Sequence, residues 1–323
     1  MTESKRLAVL GAGAVGSAVV ELAASYGYTV TGYADSTSAV TNPQGIDTTA
    51  VTAHKNTTGR VGNADPSTLF ETEYDVLIEA TPTTLGDAEP GFTHVRRALE
   101  HDCHVVFANK GPIAERYSEI MTLVDTSMGS LRFEATVGGA IPVMGTIEDI
   151  GPPTVTAVRG VLNGTANFIL SRMAAEGIDY EHVLAEAQDL GVAEADPSFD
   201  VDGTDAALKC VIVANVLAGG TNEYTLTDAV VDGITDIPGS ALELAAEDGR
   251  TIRLIAEASP EGVRVGPRLV PQNTALAVSG TQNIVQIETK HAGQLNLSGR
   301  GAGGSETASA VLADVGRLPS LSK

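Results

Sequence analysis

Residues 7–16 read Leu-Ala-Val-Leu-Gly-Ala-Gly-Ala-Val-Gly. Four apolar residues make a short buried strand, and the glycines that follow have separate tasks. Gly11 makes the tight turn, Gly13 lets the backbone approach a pyrophosphate, and Gly16 lets the next helix pack on the strand. Ala14 and Val15 open that helix, on whose N-terminus a pyrophosphate would lie. The pattern predicts a helix to about Tyr26 and a second strand over 28–33, ending in Ala34-Asp35. Asp35 stands 19 residues beyond Gly16, near the spacing of about 20 for a carboxylate that meets the ribose. The glycine motif alone is weak evidence. With strand, helix and second strand in order, it predicts a doubly wound α/β sheet that binds a dinucleotide.

The chain beyond this stretch fits that sheet. Residues 36–70 are polar without a clear period and are expected to hold loops and a short strand. Asp75–Ala80 predicts another buried strand, running into Thr81-Pro82-Thr83; loops at such strand ends line the cofactor crevice. A helix over 92–101, a strand over 103–108 and the turn Asn109-Lys110-Gly111-Pro112 follow. A helix over 113–125 and a strand over 130–135 then lead into the glycine turn at 136–142. From about Val143 the texture changes. Strand-like runs at 154–162 and 263–290 frame helical patterns at 165–176, 180–190 and 204–218, which predicts a second, α+β domain on an open sheet. A glycine-rich stretch over 299–304 and a helix over 306–315 close the chain.

The chemistry concentrates in residues 192–209, V-A-E-A-D-P-S-F-D-V-D-G-T-D-A-A-L-K. Glu194, Asp196, Asp200, Asp202 and Asp205 stand just ahead of Lys209, in a chain with only six lysines (5, 55, 110, 209, 290 and 323). Asp196-Pro197 and Gly203 mark a turn, Asp202 is the expected N-cap of the next helix, and Gly219-Gly220 its stop. Asp205 and Lys209, four apart, share a helix face. Because V-I-V-A-N-V-L-A follows, Lys209 is expected to be partly buried, and lysines in such surroundings either pair with carboxylates or do proton chemistry. A plain salt bridge at a helix start explains the same spacing. Lys110 is a second lysine in an apolar setting, at a strand end where ligands bind.

Composition narrows the partners. A chain of 323 residues makes one large or two ordinary domains, and it holds no run of about 18 apolar residues for a membrane helix. Its start imitates a signal peptide, Lys5-Arg6 before small apolar residues, but the three glycines explain that stretch better. Cys103 and Cys210 make no disulfide framework and fit a reducing cytoplasm. Net charge −21 argues against nucleic acid and anionic membranes as partners. The acids are spread along the chain and lysines are few, which reads as adaptation to high salt; a merely acidic cytosolic protein is the plainer alternative. The six histidines show no zinc spacing, with His101 and His104 flanking Cys103 alone.

Six blocks together resemble the homoserine dehydrogenase family. They are G-A-G-A-V-G at 11–16, A-N-K-G-P at 108–112, E-A-T-V-G-G-A-I-P at 134–142, N-G-T-A-N-F-I-L at 163–170, the acidic block at 194–209 and G-A-G-G-S-E-T-A-S-A-V at 301–311. They follow the family's order along nearly the whole chain; Phe107 and Arg300 stand where a small residue and a proline would be expected. The resemblance implies a Rossmann nucleotide domain over 1–136, rejoined by 300–323, and a catalytic, substrate-binding and dimerisation domain over 137–299. It implies interconversion of L-homoserine and L-aspartate 4-semialdehyde with NADP or NAD, in a cytoplasmic homodimer. Lys209 would be the acid/base, with Lys110 beside the nicotinamide and Asp205 as its neighbour. Glu194, Asp200, Asp205, Gly164 and Thr165 would contact the substrate, and Thr81, Pro82, Lys110 and Gly303 would join the glycine motif around the cofactor. A monovalent cation, usually sodium, would sit on carbonyls of the loop holding Glu134, Val137, Gly139 and Ile141, where a plain glycine turn is the other reading. Asp35 leans towards NAD, while Lys55 or Arg60 could fold back to a 2′-phosphate. The chain leaves no room for an amino-acid-binding regulatory domain, so threonine is not expected to inhibit it. The alternatives are another amino-acid or hydroxy-acid dehydrogenase, and a nucleotide sensor without catalysis; the set Lys110, Glu194, Asp205 and Lys209 speaks against the sensor.

Overall fold

The structure, a computed structural model, describes residues 4–321. The chain divides into two units, Met1–Ala140 with Ala302–Lys323, and Ile141–Gly301.

The first unit begins with β1 (Arg6–Leu10), α1 (Ala14–Leu22) and β2 (Thr29–Ala34), followed by β3 (Ala39–Thr41) and α2 (Thr48–Thr58). Then come β4 (Val76–Glu79), α3 (Gly91–Glu100), β5 (His104–Phe107), α4 (Gly111–Glu115), α5 (Tyr117–Asp125) and β6 (Leu131–Arg132). The sheet order is β3-β2-β1-β4-β5-β6, parallel throughout except for β3, which turns back antiparallel on β2. This is the doubly wound arrangement, in which strand order reverses beside β1 and opens a crevice at the carboxyl ends. The strands are short and apolar because both faces are covered, and Leu7, Ala8, Val9, Val76, Leu77 and Ile78 are fully buried. The C-terminal helix Gly304–Arg317 returns to this unit and packs Val311, Leu312 and Val315 with Val19 and Val20 of α1. Burying each such side chain is worth about 1.5–3 kcal/mol. Lys5 Nζ then caps its end, donating to the carbonyls of Val315 at 2.8 Å and Leu318 at 2.7 Å.

Three details differ from the sequence expectation. The polar stretch 36–70 holds α2 as well as a short strand; Val51 is its one buried residue, so no apolar stripe announces it. The helix expected over 113–125 breaks at Arg116, whose backbone (φ −137°, ψ 38°) separates α4 from α5. The strand expected over 130–135 stops at Arg132 and becomes a 3-10 turn over Glu134–Thr136.

The second unit contains α6 (Val143–Ile150), β7 (Val155–Val161), α7 (Gly164–Glu176), α8 (Tyr180–Asp189), α9 (Ser198–Val201) and α10 (Thr204–Ala218). It continues through β8 (Val230–Val231), α11 (Gly239–Glu247), β9 (Arg250–Ser259), β10 (Gly262–Pro271), β11 (Asn283–Thr289) and β12 (Gln294–Gly299). Its sheet, β12-β11-β7-β9-β10-β8, is antiparallel apart from the β8–β10 pair. Helices α7, α10 and α11 pack against β9. The α+β expectation holds, but β9, β12, α6 and α11 were not foreseen. Helix α10 is buried without a break from Asp205 to Asn215. Asp202 does not cap it: Gly203, in the left-handed region at φ +87°, is the N-cap, and Asp202 ends α9, exposed to solvent. Among the described residues no helix is long and apolar enough to cross a membrane.

Candidate active site

In the first unit, steric requirements build the site. At Gly11 (φ +100°) an added Cβ would lie 2.2 Å from the Ala80 carbonyl oxygen, and at Gly16 it would lie 1.8 Å from that of Gly11. At Gly13 it would meet nothing within 4 Å. The first and third glycines are therefore demanded by the protein's own packing, whereas the second leaves open space beside the turn. Outside lies a cavity of about 1100 Å³, lined by Gly11, Gly13, Ala14, Val15, Asp35, Lys55, Thr81 and Pro82 among others. No side chain caps α1, so its first N–H groups offer an anion site at the positive end of the helix. Gly303 (φ +128°) and Gly304 bring the closing segment against this turn, a Cβ on Gly304 falling 2.9 Å from the Ala14 carbonyl oxygen.

Around the cavity the polar side chains are largely committed to one another. Asp35 Oδ1 accepts from Thr37 N (2.7 Å), Thr37 Oγ1 (2.8 Å) and Ser38 N (2.7 Å), so it caps its own loop while lining the cavity. Burial pushes its pKa up, but the bonds from Thr37 and Ser38 outweigh this and hold it below the ordinary value. Lys55 donates to the Ala12 carbonyl and to Ser17 Oγ (2.7 Å), bringing an ammonium to the glycine turn; Arg60 donates to the Thr37 carbonyl at 3.3 Å. Glu79, at the end of β4 and fully buried, accepts from Thr81 N (3.0 Å), from the Thr81 hydroxyl, from Asn109 Nδ2 (3.4 Å) and from His94 Nδ1 (2.8 Å). Lys110 stands half-buried at the N-terminus of α4, next to Asn109. Glu134 is buried, its backbone N–H donating to Asp314 Oδ2 (2.8 Å) and its carboxylate accepting from Arg317 (3.4 Å). The Glu134 carbonyl accepts from Val137 and Gly138, and Gly139 turns at φ +58°. Ile141 begins the second unit, and its carbonyl accepts from Val143.

In the second unit charges build the site. Lys209 Nζ donates to Asp205 Oδ2 and to the Leu162 carbonyl, both at 2.7 Å. The two side chains are only 9% and 10% exposed, so this is no surface helix pair. Removing two charges from water costs several kcal/mol per ion, offset here by short contacts and extra hydrogen bonds. Asn163 supplies those bonds: its Nδ2 donates to Asp200 Oδ1 (2.6 Å) and to Asp205 Oδ2 (3.0 Å), while its Oδ1 accepts from Ala166 N (2.8 Å) and caps α7. Burial pushes the neighbouring Cys210 thiol up to about 12, so it stays neutral beside the pair.

The structure thus gathers Lys209, Asp205 and Asp200. Glu194 is exposed on the turn between α8 and α9, its carbonyl accepting from Gln188 Nε2 at 3.1 Å, and is not drawn into the cluster. Thr165 Oγ1 donates to the Val192 carbonyl (3.1 Å), tying α7 to that turn; Gly164 passes close to Thr281, whose carbonyl oxygen a Cβ would meet at 3.0 Å. Sequence reasoning missed Asn163, Glu79 and His94. Asn163 lay inside a quoted motif, but nothing local says that one amide faces two acids across 37 and 42 residues.

A doubly wound sheet with a glycine turn over a long cavity, joined to a unit with a buried lysine–carboxylate cluster, defines a Rossmann-type dehydrogenase. A family model described as homoserine dehydrogenase matches residues 142–315, and one described as glutamate/leucine/phenylalanine/valine dehydrogenase matches residues 1–107. The homoserine dehydrogenase of Methanocaldococcus jannaschii is 38% identical over 297 residues, which cover 89% of this chain and 88% of its own. An Archaeoglobus fulgidus crystal structure assigned to homoserine dehydrogenase is 41% identical, with a TM-score of 0.89, covering 96% of this chain and 98% of its own. A hyperthermophilic archaeal homoserine dehydrogenase in complex with NADPH is 27% identical, with a TM-score of 0.84, covering 99% and 100%. The chain belongs to the homoserine dehydrogenase family, oxidoreductases that act on a CH–OH group.

Proposed function

We propose that the chain interconverts L-homoserine and L-aspartate 4-semialdehyde using Lys209 as the proton donor and acceptor, with NADP or NAD bound in the cavity of the first unit. The observation that carries this reading is the hydrogen bonding of Lys209. An ammonium has three N–H groups. Two go to Asp205 and Leu162, and the third is left for a substrate oxygen. The dinucleotide, when bound, supplies or accepts the hydride. As the aldehyde carbon is reduced, negative charge develops on its oxygen, where a positioned N–H both stabilises it and delivers the proton; in oxidation the amine takes the proton back. Asp205 holds Nζ in place. The substrate's ammonium group is assigned to Glu194 and Asp205, with Asp200, which Asn163 ties to Asp205, as a supporting acid. Gly164 and Thr165 shape the backbone there. Lys110 assists from its strand end.

The cavity suits a nicotinamide dinucleotide: an open side at Gly13, an uncapped helix N-terminus and Asp35 at the end of β2. Lys55 brings positive charge to the same wall and Arg60 brings it to the carbonyl of the lining residue Thr37, which supports use of both nucleotides with NAD slightly ahead. The carbonyls of Glu134, Val137, Gly139 and Ile141 are the donors assigned to a monovalent cation, sodium by preference; hard oxygen donors of this kind suit it. A homodimer is assigned to the face of the second sheet that bears Arg159, Glu257, Gln286 and Asn296. These neighbour one another across strands, beside the 55% exposed Leu269. A cytoplasmic setting accords with two free thiols, and adaptation to high salt with 41 acids against 20 bases.

Turnover of homoserine, aspartate and malate with each nucleotide, at about 0.1 M and 3 M KCl, tests the reading; the two salts shift screening from about 10 Å to under 3 Å. Homoserine is expected to be the preferred substrate, with higher activity and melting temperature at high salt. Turnover of malate or aspartate without homoserine would refute the function, and salt-independent melting would refute the halophilic part.

A further inference from the structure

We propose that His94 is a cofactor-binding residue of the first unit, oriented by the buried carboxylate of Glu79, and that its Nε2 receives a ribose hydroxyl of the dinucleotide. The inference rests on reading that unit's cavity as the nucleotide site.

Glu79 is a charged group with no exposure, at the carboxyl end of a central strand, and a buried carboxylate survives only among donors. Its donors come from three walls of the cavity region. Thr81 gives both its N–H and its hydroxyl from the loop after β4, Asn109 its amide from the loop after β5, and His94 its Nδ1–H from α3. Two consequences follow. Thr81 spends both of its donors on Glu79, and its hydroxyl oxygen also accepts from Asn109 Nδ2 at 3.1 Å, so its polar groups are turned away from a ligand. The ring of His94, by contrast, has one nitrogen fixed on a carboxylate that can only accept, which settles the tautomer: Nδ1 carries hydrogen and Nε2 carries the lone pair of the neutral ring.

That second nitrogen is unspent. Among the described residues His94 Nε2 makes no hydrogen bond, and it is not among the buried unpartnered atoms, so it is accessible on a residue that lines the cavity. The ring is held from the side as well. Phe70 packs beside it with centroids 5.7 Å apart, and the Arg97 guanidinium lies 4.1 Å from the Phe70 ring centre. Phe70 and Arg97 also line the cavity. A carboxylate-oriented imidazole that shows a lone pair to a nucleotide-sized cavity is built to accept a hydroxyl hydrogen, and a dinucleotide carries such hydroxyls on its riboses.

The test separates the two ends of the ring in the full chain. His94→Asn keeps an amide nitrogen near the Nδ1 position for Glu79 but removes Nε2. His94→Gln keeps a polar atom near Nε2 but gives up the Nδ1 position. Binding of NADH and NADPH is followed by fluorescence titration alongside thermal melting. His94→Asn is expected to melt like the wild type while its nucleotide Kd rises roughly 3- to 10-fold, the span of one net hydrogen bond. The homoserine KM at saturating nucleotide should move less than about twofold, because the substrate is assigned to residues 194–205. His94→Gln should recover part of the affinity at a lower melting temperature. Unchanged nucleotide affinity in His94→Asn overturns the inference, as does an affinity loss that simply tracks a fall in melting temperature. Failure of the wild type itself to bind either nucleotide would overturn the reading of the cavity, and the inference with it.

Discussion

The two units make their sites by opposite means. In the first, the decisive residues are the ones that lack side chains: Gly11 and Gly16 clear room for backbone atoms that would sit about 2 Å from a Cβ, and Gly13 faces open space. In the second, the decisive residues bring charged side chains into the core, where Leu162 and Asn163 add hydrogen bonds to the Lys209–Asp205 pair. The difference sets what mutation should do. A side chain added in the first unit is a steric event, felt either by the fold or by the nucleotide. A side chain removed in the second is an electrostatic event, felt by the chemistry and by the partner left behind.

The largest effect is expected at Lys209. Lys209→Ala removes the proposed acid and should lower kcat by roughly 10² to 10⁴, the usual contribution of such a group, with a much smaller change in homoserine KM. It also strands Asp205 in the core, and breaking a buried pair costs about 3–5 kcal/mol, so the variant should melt lower. Turnover within about threefold of wild type would show that the pair is structural and would break the contrast between the units.

The glycines sharpen the same contrast more mildly. Gly16→Ala must push against the Gly11 carbonyl and should cost about 1–3 kcal/mol of stability, as overpacking does. Gly13→Ala meets nothing in the protein, so melting should be unchanged while nucleotide affinity falls roughly tenfold, about 1.4 kcal/mol. If Gly13→Ala destabilises the fold and spares the nucleotide, the division of labour within the turn is wrong.

The same difference explains what the sequence disclosed. A glycine turn is a local steric requirement written in six consecutive residues, so strand, turn and helix could be read together. Asp205 and Lys209 are one helical turn apart, and their shared face followed from spacing alone. What escaped was non-local or unpatterned. Asn163 meets its two acids only after β7 and α10 come side by side, and Glu79 meets His94 only after α3 packs on the sheet. Helix α2 escaped because one buried valine leaves no period to detect, and Asp202 reads as a cap although a left-handed Gly203 does that task without a side chain. Asp35 was legible as the residue that follows β2, and it lines the cavity of the first unit. That its carboxylate also closes its own loop was not, because Thr37 and Ser38 carry no sign of it.

The smallest effect concerns how the first unit holds its returning C-terminal segment, and it extends the contrast from sites to stability. His104 is 1% exposed; its Nδ1 accepts from Ser130 N at 2.9 Å, which makes Nε2 the donor to the Pro319 carbonyl at 3.1 Å. Burial lowers its pKa below the ordinary histidine value, and the charge of Lys5 lowers it further, with Pro319 and Asp75 opposing. With the folded value below the unfolded one, near 6.5, the unfolded chain takes up the proton first. The stabilising contribution is therefore complete above about pH 6.5 and is lost as pH falls through the folded value. A proton on Nδ1 would also point at the Ser130 N–H and release that bond. Acid should thus loosen the junction between β5 and the C-terminal segment, seen as faster hydrogen exchange at the Leu318 amide, which donates to the Val315 carbonyl at 3.4 Å. His104→Asn keeps an acceptor near the Nδ1 position and does not titrate, so its melting temperature should fall less than that of the wild type between pH 7 and pH 5. Comparing the two chains at each pH cancels the general loss of negative charge on acidification. Equal slopes for both would show that this histidine is a passive strut, and that the hold on the C-terminal segment owes nothing to its protonation state.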